Sequence, residues 1–217
     1  MKVRLILFLT LVLTLKSFAQ TAETFLQSGL TKINLLDYYG AIDDFTRAIE
    51  LDSTYKDAYI DRGNTKYILK NYPEAIADYS KVIEIDTTHA SAYYSRANAK
   101  RKNGDLQSAI IDYTNAVKND SLYANAYYGR GLVKAQLKQY PEAIIDYDNA
   151  IAINPSFADY YYNRGLLKII LKQKNKGCLD LLKSKELGNK NANELIEKCC
   201  NNSTMMILLD LLKYLPH

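Results

Sequence analysis

The amino-acid sequence predicts an all-α protein of stacked antiparallel helix pairs, and three observations carry that expectation. Residues 22–55, 56–89, 90–123, 124–157 and 158–191 align without a gap at a period of 34. Small residues recur at the eighth position of these blocks (Gly29, Gly63, Ala97, Gly131, Gly165) and the twentieth (Ala41, Ala75, Ala109, Ala143, Gly177), with large side chains at the twenty-fourth (Phe45, Tyr79, Tyr113, Tyr147, Leu181). Within a block a helical spacing of three and four stops once and resumes: Tyr59, Gly63 and Lys66 lead to Leu69, a break follows at residues 70–72, and the apolar Ala75, Ile76, Tyr79, Val82 and Ile83 recur after it. A fixed period of this size marks supersecondary units that bury their apolar faces only by stacking.

The chain opens on a segment of a different kind. Lys2 and Arg4 precede an apolar run from Leu5 to Leu15, followed by Ser17, Phe18 and Ala19. This is the layout of a secretory signal over residues 1–19, cut before Gln20. The run is about half the roughly 20 residues a spanning helix needs. Its removal takes Lys2, Arg4 and Lys16 and no acid, so the formal charge of +4 falls to +1, with 25 basic against 24 acidic side chains. Nothing then remains of a charge argument for nucleic acid. With 48% hydrophobic and 24% charged residues the remainder is globular rather than disordered. Only 2 His and 3 Cys stand against 19 Tyr, so metal ligands are scarce and neither a metal nor a cofactor is expected.

The blocks then read in order as two helices each. Pro73 and Pro141 fall where the second helix of their blocks begins, in the first turn, where a missing amide proton costs nothing. Gly104 and Asp105 mark the same break in the third block. Small residues at positions 8 and 20 let the two helices cross closely, and the aromatics at positions 4 and 24 fill the space beside them. The fifth block is worn, with Gly177, Leu181 and Ser184 where the others carry Ala, an aromatic and Ala or Val. Residues 191–200, NANELIEKCC, read as a capping helix over the last apolar face, and residues 201–217 as an apolar tail too short to span a bilayer.

Tyr59, Gly63, Ala75 and Tyr79 in one block, and Tyr127, Gly131, Ala143, Tyr147, Ala150 and Pro155 in another, resemble the tetratricopeptide repeat. The resemblance covers residues 22–191, although the family's closing Pro survives only as Pro155. It implies a right-handed α-solenoid with a concave groove that holds a peptide or partner protein and performs no chemistry. It further implies that positions 2, 5, 6, 9, 12 and 13 of each first helix line that groove, here including Asn64, Tyr67, Tyr94, Asn98, Arg101, Tyr128, Leu132, Tyr162 and Asn163. The family's clamp for acidic carboxyl termini needs basic residues where Ile60, Asp61, Tyr94 and Ser95 stand, so a neutral or mixed ligand fits better.

Two charged series repeat with the period: Arg62, Arg96, Arg130 and Arg164 at position 7, and Asp44, Asp78, Asp112, Asp146 and Asp180 at position 23. Ser28 replaces the first Arg, so pairing each Asp with the following block (Asp44 with Arg62, through to Asp180 with Lys198) matches every acid and is the expected ion-pair ladder. Lys32, Lys66, Lys100, Lys134 and Lys168 at position 11 read as stems laid over the tyrosines. Cys178 pairs with Cys199 or Cys200 to staple the cap, or all three remain thiols. His89 lies in a turn between blocks and His217 at the end, so no nucleophile–base arrangement assembles and an enzyme is not expected. The expectation is an exported, periplasmic or secreted, non-catalytic scaffold of the bacterial-type envelope that binds a peptide segment or protein. The alternative is a structural envelope component anchored by an uncleaved signal or the tail, the two routes by which membrane contact would arise. Oligomeric state is left open.

Overall fold

The computed structural model describes residues 21–201 and Tyr214. The expected signal, and the tail apart from Asn201 and Tyr214, lie outside the described residues. The described chain is helical throughout: α1 (Ala22–Asn34), α2 (Tyr38–Leu51), α3 (Lys56–Ile68), α4 (Tyr72–Ile85), α5 (Ala90–Lys102), α6 (Leu106–Asn119), α7 (Ala124–Gln136), α8 (Tyr140–Ile153), α9 (Ala158–Ile170), α10 (Lys174–Glu186), α11 (Ala192–Leu195), and a π-helical segment Ile196–Asn201. Two compact units divide it, one ending at Ile85 and one beginning at Asp86. The first holds the helix pairs of blocks one and two. The second holds those of blocks three to five and the cap.

Each block is one helix pair because its two ends are set by local chemistry. The position-15 residue of every block takes a left-handed conformation: Leu36, Lys70, Lys138 and Lys172 at φ of 60–61°, and Gly104 at 87°. In block four the amide of Gln139 then donates to Lys134 O at 2.9 Å and that of Lys138 to Ala135 O at 3.0 Å, closing the first helix. Only Gly104 adopts that conformation without strain, which costs an L-residue with a Cβ about 1 kcal/mol. Between blocks, Asp52, Asp86, Asp120 and Asn154 each accept, through Oδ1, the backbone amide two residues on, an Asx turn repeated with the period. Asp37 and Asp105 cap the second helices of their blocks by accepting from Gly40 and Ser108 amides.

Close approach within a pair rests on the small residue at position 8. A Cβ on Gly131 would sit 2.6 Å from Tyr147 Cε1 and 3.3 Å from Ala143 O, so the fully buried Tyr147 ring occupies the volume a side chain would need. In the worn fifth block, Cβ atoms on Gly165 and Gly177 would each meet the other's carbonyl oxygen, at 2.8 and 2.6 Å, so backbone meets backbone there. In the second unit one core cluster joins Ala97, Ala109, Tyr113, Ala116, Ala126 and Val133. Another runs from Leu132, Ala143 and Tyr147 through Tyr162, Leu166 and Leu181 to Leu195, Ile196 and Cys199 of the cap.

The ion pairs form within each block, not between neighbours as the sequence suggested. Arg62 reaches Asp78 at 2.6 Å, Arg96 reaches Asp112 at 2.7 Å, and Arg130–Asp146 and Arg164–Asp180 both close at 2.6 Å. Antiparallel packing sets position 7, midway along the first helix, against position 23, midway along the second. Position 11 lies one turn further on the same face, so the lysines are not stems over tyrosines: Lys66, Lys100, Lys134 and Lys168 bind the same carboxylates at 2.8–2.9 Å. In block one Lys32 takes Asp44 at 2.7 Å and Ser28 donates to it, so the missing Arg leaves no orphan acid. Burial pushes the Asp44 carboxyl up, but Lys32 and Ser28 outweigh it and hold the group below the usual carboxylate range. Asp180 pairs with Arg164 and Lys168 rather than Lys198, which instead meets Glu194 and Tyr214.

The guanidinium groups are further fixed by the tyrosine at position 4. Arg62, Arg96, Arg130 and Arg164 lie 5.5–5.6 Å from the ring centroids of Tyr59, Tyr93, Tyr127 and Tyr161. The remaining guanidinium nitrogen reaches the preceding block: Arg62 Nη1 to Thr46, Arg130 Nη1 to Thr114, and Arg164 Nη1 to Asp148. Removing one of these carboxylates would strand two cations in the pair interior, at a cost of about 3–5 kcal/mol.

The cap staples to the last pair. Cys178 of α10 and Cys200 are bonded, with Cα atoms 5.8 Å apart, and Cys199 keeps a buried thiol whose pKa burial raises. The cap begins at Ala192, and its last turns are π-helical from Ile196, not a continuous α-helix over 191–200.

Candidate functional site

The first helices of the second unit present one face built by the spacing of Tyr94, Asn98 and Arg101 on α5 and of Asn125 and Tyr128 on α7. Steps of three and four place each set along one side of its helix. Beneath this face run the position-24 tyrosines. Tyr113 donates its hydroxyl to Asn98 Oδ1 at 2.6 Å, which orients the amide and leaves its Nδ2 hydrogens for the exterior. Asn64 is held by Tyr79 in the same way, at 2.8 Å, in the first unit. In block four the corresponding residue is Leu132, and the Tyr147 hydroxyl is buried with no hydrogen-bond partner. Burial drives its pKa well above the ordinary phenol value, with Tyr128 and Asp146 adding to the push.

Tyr94 is half-buried, its ring 5.0 Å from Tyr123 and 6.0 Å from Tyr113. Tyr128 packs into an aromatic nest with Tyr160 at 4.8 Å, Tyr147 at 5.8 Å and Phe157 at 6.1 Å. Its hydroxyl accepts from Asn163 Nδ2 at 2.9 Å, and burial holds the phenol well above the ordinary value. Tyr160 donates to Asn125 Oδ1 at 3.0 Å, which fixes the Asn125 amide as Tyr113 fixes that of Asn98.

The expected groove residues therefore divide. Tyr94, Asn98, Arg101 and the polar edge of Tyr128 stand together on the face. Tyr162, Leu132 and Asn163 do not: Tyr162 and Leu132 are 9% exposed and belong to the core cluster that Leu195, Ile196 and Cys199 complete, and Asn163 is 6% exposed. Asn163 spends both amide hydrogens inside, on Tyr128 and on Asp159 O. The cap is what covers Tyr162, whose phenol is pushed up to about 12 by burial. Asn64 and Tyr67 lie in the first unit, Asn64 exposed and Tyr67 half-buried with its ring 5.4 Å from Tyr72. Beside them Asp61 is held above the ordinary carboxyl range by burial first and by Asp57 one turn earlier. Asn125, at position 2, belongs to this face as well, and its sequence signal is an amide at a place where the other blocks carry Glu, Asp or Ser.

Among the described residues no three His, Cys, Asp or Glu side chains gather in a way that would hold a metal ion, and no helix is long and apolar enough to cross a membrane. His89 Nδ1 accepts from the Ala92 amide at 3.2 Å, capping α5.

Comparison with known proteins gives the same repeat. A family model described as TPR repeat matches residues 63–104 and 133–168, and one described as tetratricopeptide repeat matches residues 90–121. No curated protein matches the chain by sequence. Among solved structures, that of MamA is 28% identical, with 76% of this chain and 96% of that one covered at a TM-score of 0.71. YrrB, described as "a TPR protein with an unusual peptide-binding site", is 19% identical over 86% of this chain and 97% of that one, at a TM-score of 0.70. The first TPR of Spaghetti (RPAP3), bound to HSP90 peptide SRMEEVD, is 20% identical over 55% and 94%, at 0.53. The 34-residue period, the helix pair within each block and these matches agree on one point: the chain carries tetratricopeptide repeats, matched by family models over residues 63–121 and 133–168.

Proposed function

We propose that this protein is an exported, non-catalytic scaffold of a bacterial-type envelope that holds an extended segment of another protein on the α5–α7 face. The observation that carries the reading is the set of amide groups whose carbonyl oxygens are already occupied by tyrosine hydroxyls, Asn98 by Tyr113 and Asn125 by Tyr160. What these amides have left to offer is N–H, the group an extended backbone accepts from, and the Tyr94 ring beside them supplies rigid contact area at low entropic cost. YrrB and the RPAP3 repeat are solved relatives of the same fold whose descriptions name a peptide site or a bound peptide, which supports a peptide-binding reading. Export is supported by the residue pattern over 1–19 and by a cysteine pair close enough to bond, as oxidising compartments favour.

One experiment addresses both parts. The native protein is crosslinked in its envelope, purified, and its amino terminus and partners read by mass spectrometry, beside a Tyr94→Ala/Asn125→Ala variant. A mature chain beginning at Gln20, with a partner segment whose capture weakens by ~2 kcal/mol or more in the variant, is the expected result. Full-length protein in the cytoplasm overturns export, and undiminished capture by the variant overturns the face.

A further inference from the structure

On the first helices of the second unit, the charged side chains at positions 7 and 11 are all committed. Arg96, Arg130 and Arg164 fork onto aspartates, and Lys100, Lys134 and Lys168 join them. Arg101 is different. It is half-buried at position 12, its Nε is sealed from solvent with no hydrogen-bond partner, and no carboxylate lies within ion-pair reach of it among the described residues. The two Nη groups of the same guanidinium are not sealed and make no ion pair with a described residue, so they are the atoms that an acceptor docking on this face would meet.

The neighbours of Arg101 sharpen what that something is. Asn98, one turn earlier, has its Oδ1 taken by Tyr113, and Asn125 on the next first helix has its Oδ1 taken by Tyr160. The Tyr128 oxygen already accepts from Asn163, and the charge of Arg101 acts on that same phenol. Asp159, whose charge also acts on Tyr128, is engaged by Asn189 Nδ2 at 2.8 Å and not by Arg101. The face thus offers hydrogens from two amides, together with one planar cation that no described carboxylate pairs. Guanidinium matches a carboxylate with two parallel hydrogen bonds, better than any neutral acceptor.

We infer that Arg101 is a carboxylate receptor, so that the segment held on the α5–α7 face carries one acidic group docked on Arg101 beside Asn98 and Tyr128. This rests on the reading of that face as a peptide site. It departs from the clamp for acidic termini, whose basic positions this chain lacks, because the charge here comes from position 12 and stands alone. The carboxylate is that of an Asp or Glu side chain or of a chain terminus, and the two sources are separable.

The full mature chain is panned against two displayed peptide libraries, one with blocked carboxyl ends and one with free ends. Selected peptides are then titrated against wild type, Arg101→Gln, Arg101→Lys and, as a control in the other unit, Arg47→Gln. An acidic residue fixed at one place in the blocked library assigns a side-chain carboxylate; enrichment only with free ends assigns a terminus. Either way Arg101→Gln should weaken binding about tenfold or more, Arg101→Lys by less, and Arg47→Gln not at all. Because Arg101 makes no hydrogen bond or ion pair with another described residue, Arg101→Gln should melt like wild type. If neutral peptides bind and no acid is selected, or if Arg101→Gln keeps the acidic preference, the receptor is refuted while the scaffold reading stands. If no peptide binds any version of the chain, both are refuted.

Discussion

Tyr79 and Tyr147 occupy one position of the repeat, yet their hydroxyls differ in fate. Tyr79 donates to Asn64, whereas Tyr147 faces Leu132 and is buried unpartnered. An unsatisfied buried hydroxyl carries a desolvation penalty that its removal relieves, while a satisfied one carries a net gain of about 1 kcal/mol. Tyr147→Phe is therefore expected to leave stability unchanged or raise it by up to ~1 kcal/mol, and Tyr79→Phe to lower it by ~1 kcal/mol. Chemical denaturation of the two variants checks the opposite signs; equal losses would mean that Tyr147 has a partner in solution. The residue types at positions 7, 9, 11, 23 and 24 were all legible in the sequence. Which residue each one touches was not. In a periodic chain Asp78 lies 16 residues after Arg62 and 18 before Arg96, so counting alone allows both pairings, and Ser28 favours the wrong one because Lys32 and Ser28 themselves serve Asp44.

At the scale of helices, the period located each pair because close packing demands the same small residues every time. The ends of the array obey different physics. The cap has no period to reveal it, and its π-helical turns let Leu195, Ile196 and Cys199 all face the core while Cys200 meets Cys178. This is also why the sequence places Tyr162 in the groove: its position matches Tyr94 and Tyr128, but the structure buries it in the core cluster that the cap completes. The disulfide spans a separation of 22 residues, for which chain entropy gives roughly 3 kcal/mol. Cys178→Ser/Cys200→Ser, or reduction, is expected to lower stability by about that amount and to raise hydrogen exchange first in α9 and α10, where Tyr162, Leu166 and Leu181 lose their cover. Unchanged exchange there would show that apolar packing alone holds the cap.

Across the whole molecule, the closure of every Arg–Lys–Asp group inside its own block makes the repeat a unit that can be removed without stranding charge. Excision of residues 124–157 joins Tyr123 to Ala158 and takes Arg130, Lys134 and Asp146 away together. The junction is also compatible side chain by side chain. Arg164 Nη1, which reaches Asp148, would meet Thr114 as Arg130 now does, and Asn163, which donates to Tyr128, would meet Tyr94 at the same position. In a stack where each unit contacts only its neighbours, such a protein keeps its fold and loses one unit's contribution. The shortened chain is expected to keep its helicity per residue, to unfold cooperatively, and to show a denaturant slope reduced by about a fifth, in proportion to the surface no longer exposed. Excision of residues 124–139 alone provides the contrast. It removes Arg130 and Lys134 but leaves Asp146 on the inward face of α8 without its two cations, so burying that face again would cost about 3–5 kcal/mol on top of the lost packing. Circular dichroism should find that variant largely unfolded. A half-repeat deletion as cooperative as the full-repeat deletion would mean that the charge triads do not define the folding unit.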